Sequence, residues 1–316
     1  MQDTPPGQNA QPNGHNHTLG DGAQCPGSHD NSHLAANVPV VIVGAGPSGL
    51  LQAYLLSKLN IQCMIIERYS TRLAAPKAHA INPRSLEICR QFGLDTKAIR
   101  SLGTPRSEAF WVNFITSLSG ETVGRLPYER MDADVLDATP EMIHNIPQPA
   151  FEEFVAQHLP KSVQILRNAS FVSSEERDDF VYTTYEDRKN GNIHTVASKY
   201  LIACDGAKSK VRRFLGIECD GEDSCTYNLL VTSMACSLML TDETMMTIHF
   251  NTDLRPVVGE RVGMLHWVMD PAVSGFVIAY DLGGNQVLIC NIDVVIHPGM
   301  VCSLSANESI AQEASS

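Results

Sequence analysis

The sequence predicts an α/β fold in which a strand-helix-strand unit is interleaved with separate β-sheet. Three observations carry that prediction. An apolar run over residues 38–43 breaks at a glycine turn, continues into a helical stretch, and gives way to a second apolar run ending at Glu67. A β-rich region over residues 163–204 closes on "YLIACDGAKSKVRR", a strand of buried character that stops at Asp205-Gly206 and becomes basic and helix-like. A second β-rich region fills residues 227–296. Alternation of helical and strand periodicity within one chain is the mark of an α/β fold.

The 316 residues, 43% of them hydrophobic, suffice for one large domain or two smaller ones. A formal net charge of −12 argues against nucleic acid or an anionic membrane surface as partner. Nine cysteines form no CxxC pair, and Cys63, Cys204, Cys236 and Cys290 fall inside apolar runs, which predicts reduced, buried thiols and a cytoplasmic location. The N-terminus has neither the cationic start nor the apolar core of a signal peptide. No stretch reaches the roughly 18 apolar residues of a membrane span; the longest candidate, 226–240, is interrupted by Asn228, Thr232, Ser233 and Ser237.

Taken in order, residues 1–36 are rich in Gly, Pro, Asn, Gln and His and predict a disordered tail. Its His15, His17, His29 and His33 read as solvated side chains, so no metal site is expected. The segment "VPVVIVGAGPSGLLQAYLLSKLNIQCMIIERY" gives a buried strand from Val38, a glycine turn, a helix and a second buried strand. A helix from Pro83 to Phe92 closes at Gly93, and "AFWVNFITSLSGETVGRL" gives two strands around the turn at 119–120. Residues 149–159 carry Phe151, Phe154, Val155, His158 and Leu159 at helical spacing, with Pro149 in the first turn. In "GFVIAYDLGGNQVLICNID", Gly283-Gly284 predicts a hairpin whose glycines take positive φ.

Gly44, Gly46 and Gly49 form G-x-G-x-x-G after a strand and at the start of a helix. The first glycine makes the tight turn, the second lets backbone approach a diphosphate, and the third permits close helix-strand packing. Amides at that helix start face the diphosphate, and the helix dipole adds ~0.3–2 kcal/mol per favourable charge. Glu67, 18 residues after Gly49, is placed to accept hydrogen bonds from the hydroxyls of an adenosine ribose. This Rossmann-like motif suits FAD and NAD equally, since both carry ADP.

The pairing of "GAGPSG" with "CDGAKSKVR" some 150 residues later resembles the FAD-dependent aromatic hydroxylases, the family of para-hydroxybenzoate hydroxylase, phenol hydroxylase and the aromatic-polyketide hydroxylases. "HAINPRSLEICRQFGL" is similar to that family's next helix with its arginine, here Arg84. "IPQPAFEEFVAQHL" is similar to the segment whose glutamine, here Gln148, lies along the cofactor. "RVGMLHWVMDP" and "GFVIAYDLGGNQVLI" resemble its sheet over the flavin, and the likeness covers roughly residues 38–297. It implies a Rossmann-like FAD-binding domain with an interleaved β-sheet substrate domain. The implied cofactor is FAD, with NADH or NADPH as co-substrate, O2, and a small phenolic or other aromatic substrate hydroxylated through a flavin C4a-hydroperoxide; a homodimer stays open. The cofactor-binding set is Gly44, Ala45, Gly46, Pro47, Ser48, Gly49, Glu67, Arg68, Arg84, Gln148, Asp205 and Gly206; no catalytic side chain is assigned.

A diphosphate would repel Asp205. Its carboxylate therefore suits a sugar or ribityl hydroxyl, or backbone amides and a nearby arginine that fix the loop. Gly206 permits close backbone approach, Ser209 caps the following helix, and Arg212 or Arg213 adds positive charge near the dinucleotide. His249, His266 and Tyr280 read as satisfied core residues.

These readings divide the chain into the tail 1–36, an FAD-binding domain over 37–226 with 107–127 lending strands to the substrate sheet, the substrate sheet over 227–297, and a polar tail over 298–316. The family's third flavin fingerprint, a Gly-Asp element, does not follow Pro298. The expectation is a truncated chain with weak flavin retention, and a non-catalytic dinucleotide-binding remnant stands as the alternative reading. A plain NAD-linked dehydrogenase is disfavoured because it leaves the Asp-Gly segment unexplained.

Overall fold

The computed structural model describes residues 34–72, 78–129, 131–219, 225–227, 235–240, 244–270 and 275–292. The two tails, with the histidines and the expected disorder of the first, lie outside the described residues apart from 34–36, as do Cys25, Cys302 and the side chain of Cys236.

The chain begins with Leu34–Val43 (β1), Pro47–Lys58 (α1), Cys63–Glu67 (β2), Ala80–Ile81 (β3), Pro83–Gln91 (α2), Thr96–Ser101 (α3) and Arg106–Ala109 (α4). Trp111–Ile115 (β4), Thr122–Pro127 (β5), His144–Asn145 (β6), Gln148–Gln157 (α5), Gln164–Arg167 (β7), Ala169–Arg177 (β8), Phe180–Asp187 (β9), Ile193–Ala203 (β10) and Lys210–Phe214 (α6) follow. The last described elements are Cys225–Tyr227 (β11), Ala235–Leu240 (β12), Thr244–Phe250 (β13), Arg255–Val258 (α7), Leu265–Val268 (β14), Gly275–Asp281 (β15) and Asn285–Ile292 (β16).

One sheet has the order β7-β2-β1-β10-β9-β8. Its first four strands are mutually parallel, so their C-terminal ends share one edge. On β1, Val40 and Ile42 join the α1, α2 and α5 core, while Val41 and Val43 pack with Phe171, Tyr185, Val196 and Val211 on the other face. A strand buried on both faces must be apolar throughout, which is why 38–43 reads as an unbroken hydrophobic run. Each fully buried aliphatic side chain here contributes ~1.5–3 kcal/mol.

The second sheet has the order β11-β12-β13-β16-β15-β14-β4-β5. Strands β4 and β5, distant in sequence, join it through the parallel pairing of β14 with β4.

Three local expectations are corrected. The first strand begins at Leu34, not Val38, because backbone pairing with Thr195 to Ala197 of β10 recruits residues whose composition reads as tail. The run at 200–203 is not fully buried: Tyr200 is 69% exposed, since β9 pairs with β10 only as far as Ser198. The hairpin at 281–285 forms without left-handed glycines, Gly283 and Gly284 being absent from the positive-φ residues. The Asp281 carboxylate instead accepts from the Gly283 amide at 2.8 Å and its carbonyl from the Gly284 amide at 3.1 Å, so an aspartate-held turn replaces the expected one.

Candidate functional site

A cleft of about 380 Å³ runs along the C-terminal edge of the parallel strands. Gly44, Ala45, Gly46, Pro47, Ser48, Glu67, Arg68, Gln148, Asp205 and Gly206 all line it. The glycines divide the work as their motif requires. Gly44 has φ +103°, and a Cβ on it would stand 2.5 Å from the Cys204 carbonyl oxygen. A Cβ on Gly49 would stand 2.0 Å from the Gly44 oxygen, so Gly49 lies beneath the loop rather than on the cleft wall. A Cβ on Gly46 would meet nothing within 4 Å, so the backbone there is open to a ligand's approach.

Gly46 is the N-cap of α1, and no side chain caps that helix. The amides of its first turn therefore face the cleft without a side-chain acceptor, a setting that suits an anion. Glu67 accepts from the Ala45 amide at 2.7 Å through Oε2 and from the Tyr69 amide at 2.9 Å through Oε1. Its carboxylate thus braces the glycine loop and retains lone pairs for a sugar hydroxyl.

Asp205 takes the backbone option. It accepts from Ser209 Oγ at 2.5 Å and from the amides of Lys210 and Val211 at 2.6 and 3.3 Å, while Ser209 Oγ accepts from the Arg212 amide at 3.0 Å. Two side chains together satisfy the first turn of α6, which explains a carboxylate at the strand end. No arginine joins it among the described contacts. Gly206 sits at φ +83° with open space where a Cβ would be.

Three arginines, Arg84, Arg212 and Arg213, are not brought to the cleft. The Arg84 side chain is 74% exposed and pairs with Glu87 at 3.1 Å, because its place on α2 turns it to solvent. Arg212 and Arg213 lie beyond the cleft lining, with Arg213 folded back on the Ser209 and Lys208 carbonyls; Lys210 lines the cleft instead. His266 is fully buried with Nε2 2.9 Å from the Arg261 carbonyl, Tyr280 is buried with its hydroxyl donating to the Ala78 carbonyl at 3.2 Å, and His249 lies 2.9 Å from Asn285 Oδ1. Tyr280 and His249 thus have partners as expected, whereas His266 is satisfied only through Nε2, its buried Nδ1 having no hydrogen-bond partner.

Sequence reasoning missed Arg72, Glu152, Arg167, Cys204 and Lys210, all on the cleft wall. Only strand-end position could have marked Arg167, the last residue of β7. Burial and the neighbouring Asp205 charge push the Cys204 thiol above its ordinary range. Gln148 donates to Glu152 at 2.7 Å and borders both this cleft and an adjoining cavity of about 280 Å³ lined by Leu51, Ala80, Ile81 and Phe151.

The residues fit an ADP-bearing cofactor: a helix start without a side-chain cap, a glycine open to close approach, and a carboxylate at the end of the second strand. Among the described residues no cluster of His, Cys, Asp and Glu could hold a metal ion, and no helix is long and apolar enough to cross a membrane.

Residues 37–286 match the FAD binding domain family. The chain is 29% identical over 245 residues to a 2,4-dichlorophenol 6-monooxygenase of Cupriavidus pinatubonensis (strain JMP 134 / LMG 1197), covering 75% of this chain and 38% of that protein. It is 32% identical over 246 residues to a 4-methyl-5-nitrocatechol 5-monooxygenase of Burkholderia sp, covering 76% and 40%. Among solved structures, RebC soaked with K252c superposes with a TM-score of 0.66 at 26% identity, over 84% of this chain and 48% of that one. The flavin-dependent monooxygenase PieE, at 24% identity and TM-score 0.68 over 88% and 47%, shares the fold. The chain spans less than half the length of these relatives. A family match over most of the described residues, on a cleft with this glycine loop and acid, makes the chain a member of the FAD binding domain family, with FAD as its cofactor.

Proposed function

We propose that this chain serves a flavin-dependent monooxygenase that hydroxylates a small phenolic or other aromatic substrate with NADH or NADPH and O2. The observation that carries the reading is the meeting of the 44–49 loop, Glu67, Gln148 and Asp205-Gly206 on one cleft, from segments far apart in sequence. Bound there, FAD would supply hydride acceptance and oxygen chemistry that side chains lack.

The protein's part is to bind, orient and exclude water. The α1 amides and Gly46 receive the diphosphate, and Glu67 receives the ribose while holding the loop. Asp205 fixes the turn that lets Gly206 approach the cofactor, and Gln148 stands between the cleft and its neighbouring cavity. The second sheet presents Leu265, Phe276, Ile278 and Ile289 around Tyr280, an apolar face suited to keeping water from the reacting ring. Strand membership supports assigning residues 37–226 to cofactor binding, except that β11 already joins the second sheet at Cys225, with 107–127 serving the substrate sheet of 227–297. The free thiols of Cys63, Cys89, Cys204, Cys219 and Cys290 support a reducing, cytoplasmic setting.

The test is to reconstitute the purified chain with FAD, read bound-flavin absorbance, and follow NADH and NADPH oxidation with and without phenols. Flavin uptake with phenol-stimulated oxidation is expected. Uptake without oxidation would make the chain a cofactor-binding module, and no uptake would overturn the reading.

A further inference from the structure

The apolar face of the second sheet continues past the residues grouped around Tyr280. Trp267 on β14 stands opposite Phe114 on β4 and Phe276 on β15. The indole lies 6.5 Å from the Phe114 ring, within 11° of parallel, and 4.8 Å from the Phe276 ring at 36°. Neighbouring strands thus each set one aromatic side chain into a cross-strand row. Phe114 and Phe276 are half-buried and Trp267 remains 38% exposed, so the row keeps an uncovered aromatic surface.

The row is continuous with the cofactor site. Phe276, Ile278 and Tyr280 alternate along β15 and pack in one cluster, with Leu265 opposite Ile278. At the other end of that strip the Tyr280 hydroxyl donates to the Ala78 carbonyl, and Ala78 lines the cavity that adjoins the cofactor cleft. From Phe276 to Tyr280 the strand runs four residues, which at ~3.4 Å per residue is on the order of 14 Å. A single phenol ring held beside the cofactor is far too short to touch the row. A string of fused or directly linked rings spans the distance.

Chemistry and area choose the occupant. The strip from Phe114 and Trp267 to Ile278 carries no charged side chain, and aromatic rings pack on aromatic rings in offset or edge-to-face geometry, which suits a flat, uncharged aromatic ligand. A second copy of the chain would need ~800 Å² per partner for a stable interface. Aromatic side chains bury ~150–250 Å² each, and these three are already more than half covered, so the row leaves only on the order of 200 Å².

We propose that the row of Phe114, Trp267 and Phe276 is a stacking subsite for the distal rings of an elongated aromatic substrate, whose first ring reacts beside the cofactor, and that the chain thereby prefers fused-ring substrates to single phenols. This rests on the reading of the second sheet as the substrate face.

The test is equilibrium dialysis of the FAD-reconstituted chain, and of its Trp267→Leu and Trp267→Phe variants, against phenol and against a hydroxyanthraquinone. The unmutated chain should bind the anthraquinone at least about tenfold more tightly than phenol. Trp267→Leu keeps apolar bulk without the indole; it should lose about tenfold for the anthraquinone and nothing for phenol, and Trp267→Phe should recover most of the loss. Equal affinity for the two ligands, an unchanged anthraquinone affinity in Trp267→Leu, or equal losses for both ligands would overturn the proposal. So would a dimer in sedimentation that Trp267→Leu dissociates, since a second copy would then cover the row. Should a variant fail to fold, N-bromosuccinimide oxidation of the unmutated chain decides: the anthraquinone should shield Trp267 and phenol should not, and oxidation indifferent to the anthraquinone overturns the proposal. Failure of the cofactor reading looks different, since the chain would then take up no FAD, while dialysis of the FAD-free chain still reads the row.

Discussion

Glu67 Oε2 accepts a hydrogen bond from the Ala45 amide at 2.7 Å, tying the end of the second strand to the middle of the glycine loop. The residue expected to hold a ligand's ribose is therefore also a strut of the loop itself, and loss of ribose contact cannot be separated from loss of loop order in a simple truncation.

Glu67→Ala should accordingly lower both stability and affinity. Two amides lose their acceptor, for a cost of about 1–3 kcal/mol. FAD titration by flavin fluorescence should show at least tenfold weaker binding, and Glu67→Gln, which keeps one acceptor oxygen, should lie between. Wild-type affinity in Glu67→Ala would remove Glu67 from the site.

Gly46→Ala and Gly49→Ala should separate binding from folding. A methyl on Gly49 would stand 2.0 Å from the Gly44 oxygen, so the loop must shift, at about 1–3 kcal/mol in chemical denaturation. A methyl on Gly46 meets no protein atom within 4 Å, so its melting temperature should hold while FAD affinity falls. Equal stability loss in both variants would contradict this division.

Asp205→Ala should act through α6. Removing the acceptor of the Lys210 and Val211 amides should cost ~0.5–2 kcal/mol, whereas Asp205→Asn should recover part of it. Thermal melting without FAD checks this, because a residue that only touched ligand would leave the apo melting temperature unchanged.

Burial pushes the Cys63 and Cys89 thiols from 9.0 up to about 11. The folded chain prefers their neutral forms, so their contribution to stability is fully present below about pH 9 and is lost as pH rises toward 11. Melting temperature should fall across that window. At neutral pH exposed Cys219 should alkylate well before Cys63 or Cys89, as peptide mass spectrometry after iodoacetamide treatment would show.

The sequence by itself determined the nucleotide-binding core. Val38 to Val43, the three glycines and Glu67 form a local unit in which strand burial, a positive-φ turn and a helix start follow from residues within one short segment. The helices at 83–91 and 148–157 were legible for the same reason, from apolar spacing and flanking proline. Only the tertiary structure decided which distant groups share the cleft. Arg72, Glu152 and Arg167 carry no local signal, since an arginine at a strand end reads the same in solvent as in a site. The parallel order β7-β2-β1-β10 brings them to one edge, while the helical turn of α2 carries Arg84 away to solvent. Backbone pairing likewise began β1 at Leu34, where composition alone reads as tail, because a ladder is held by main-chain hydrogen bonds that composition does not encode.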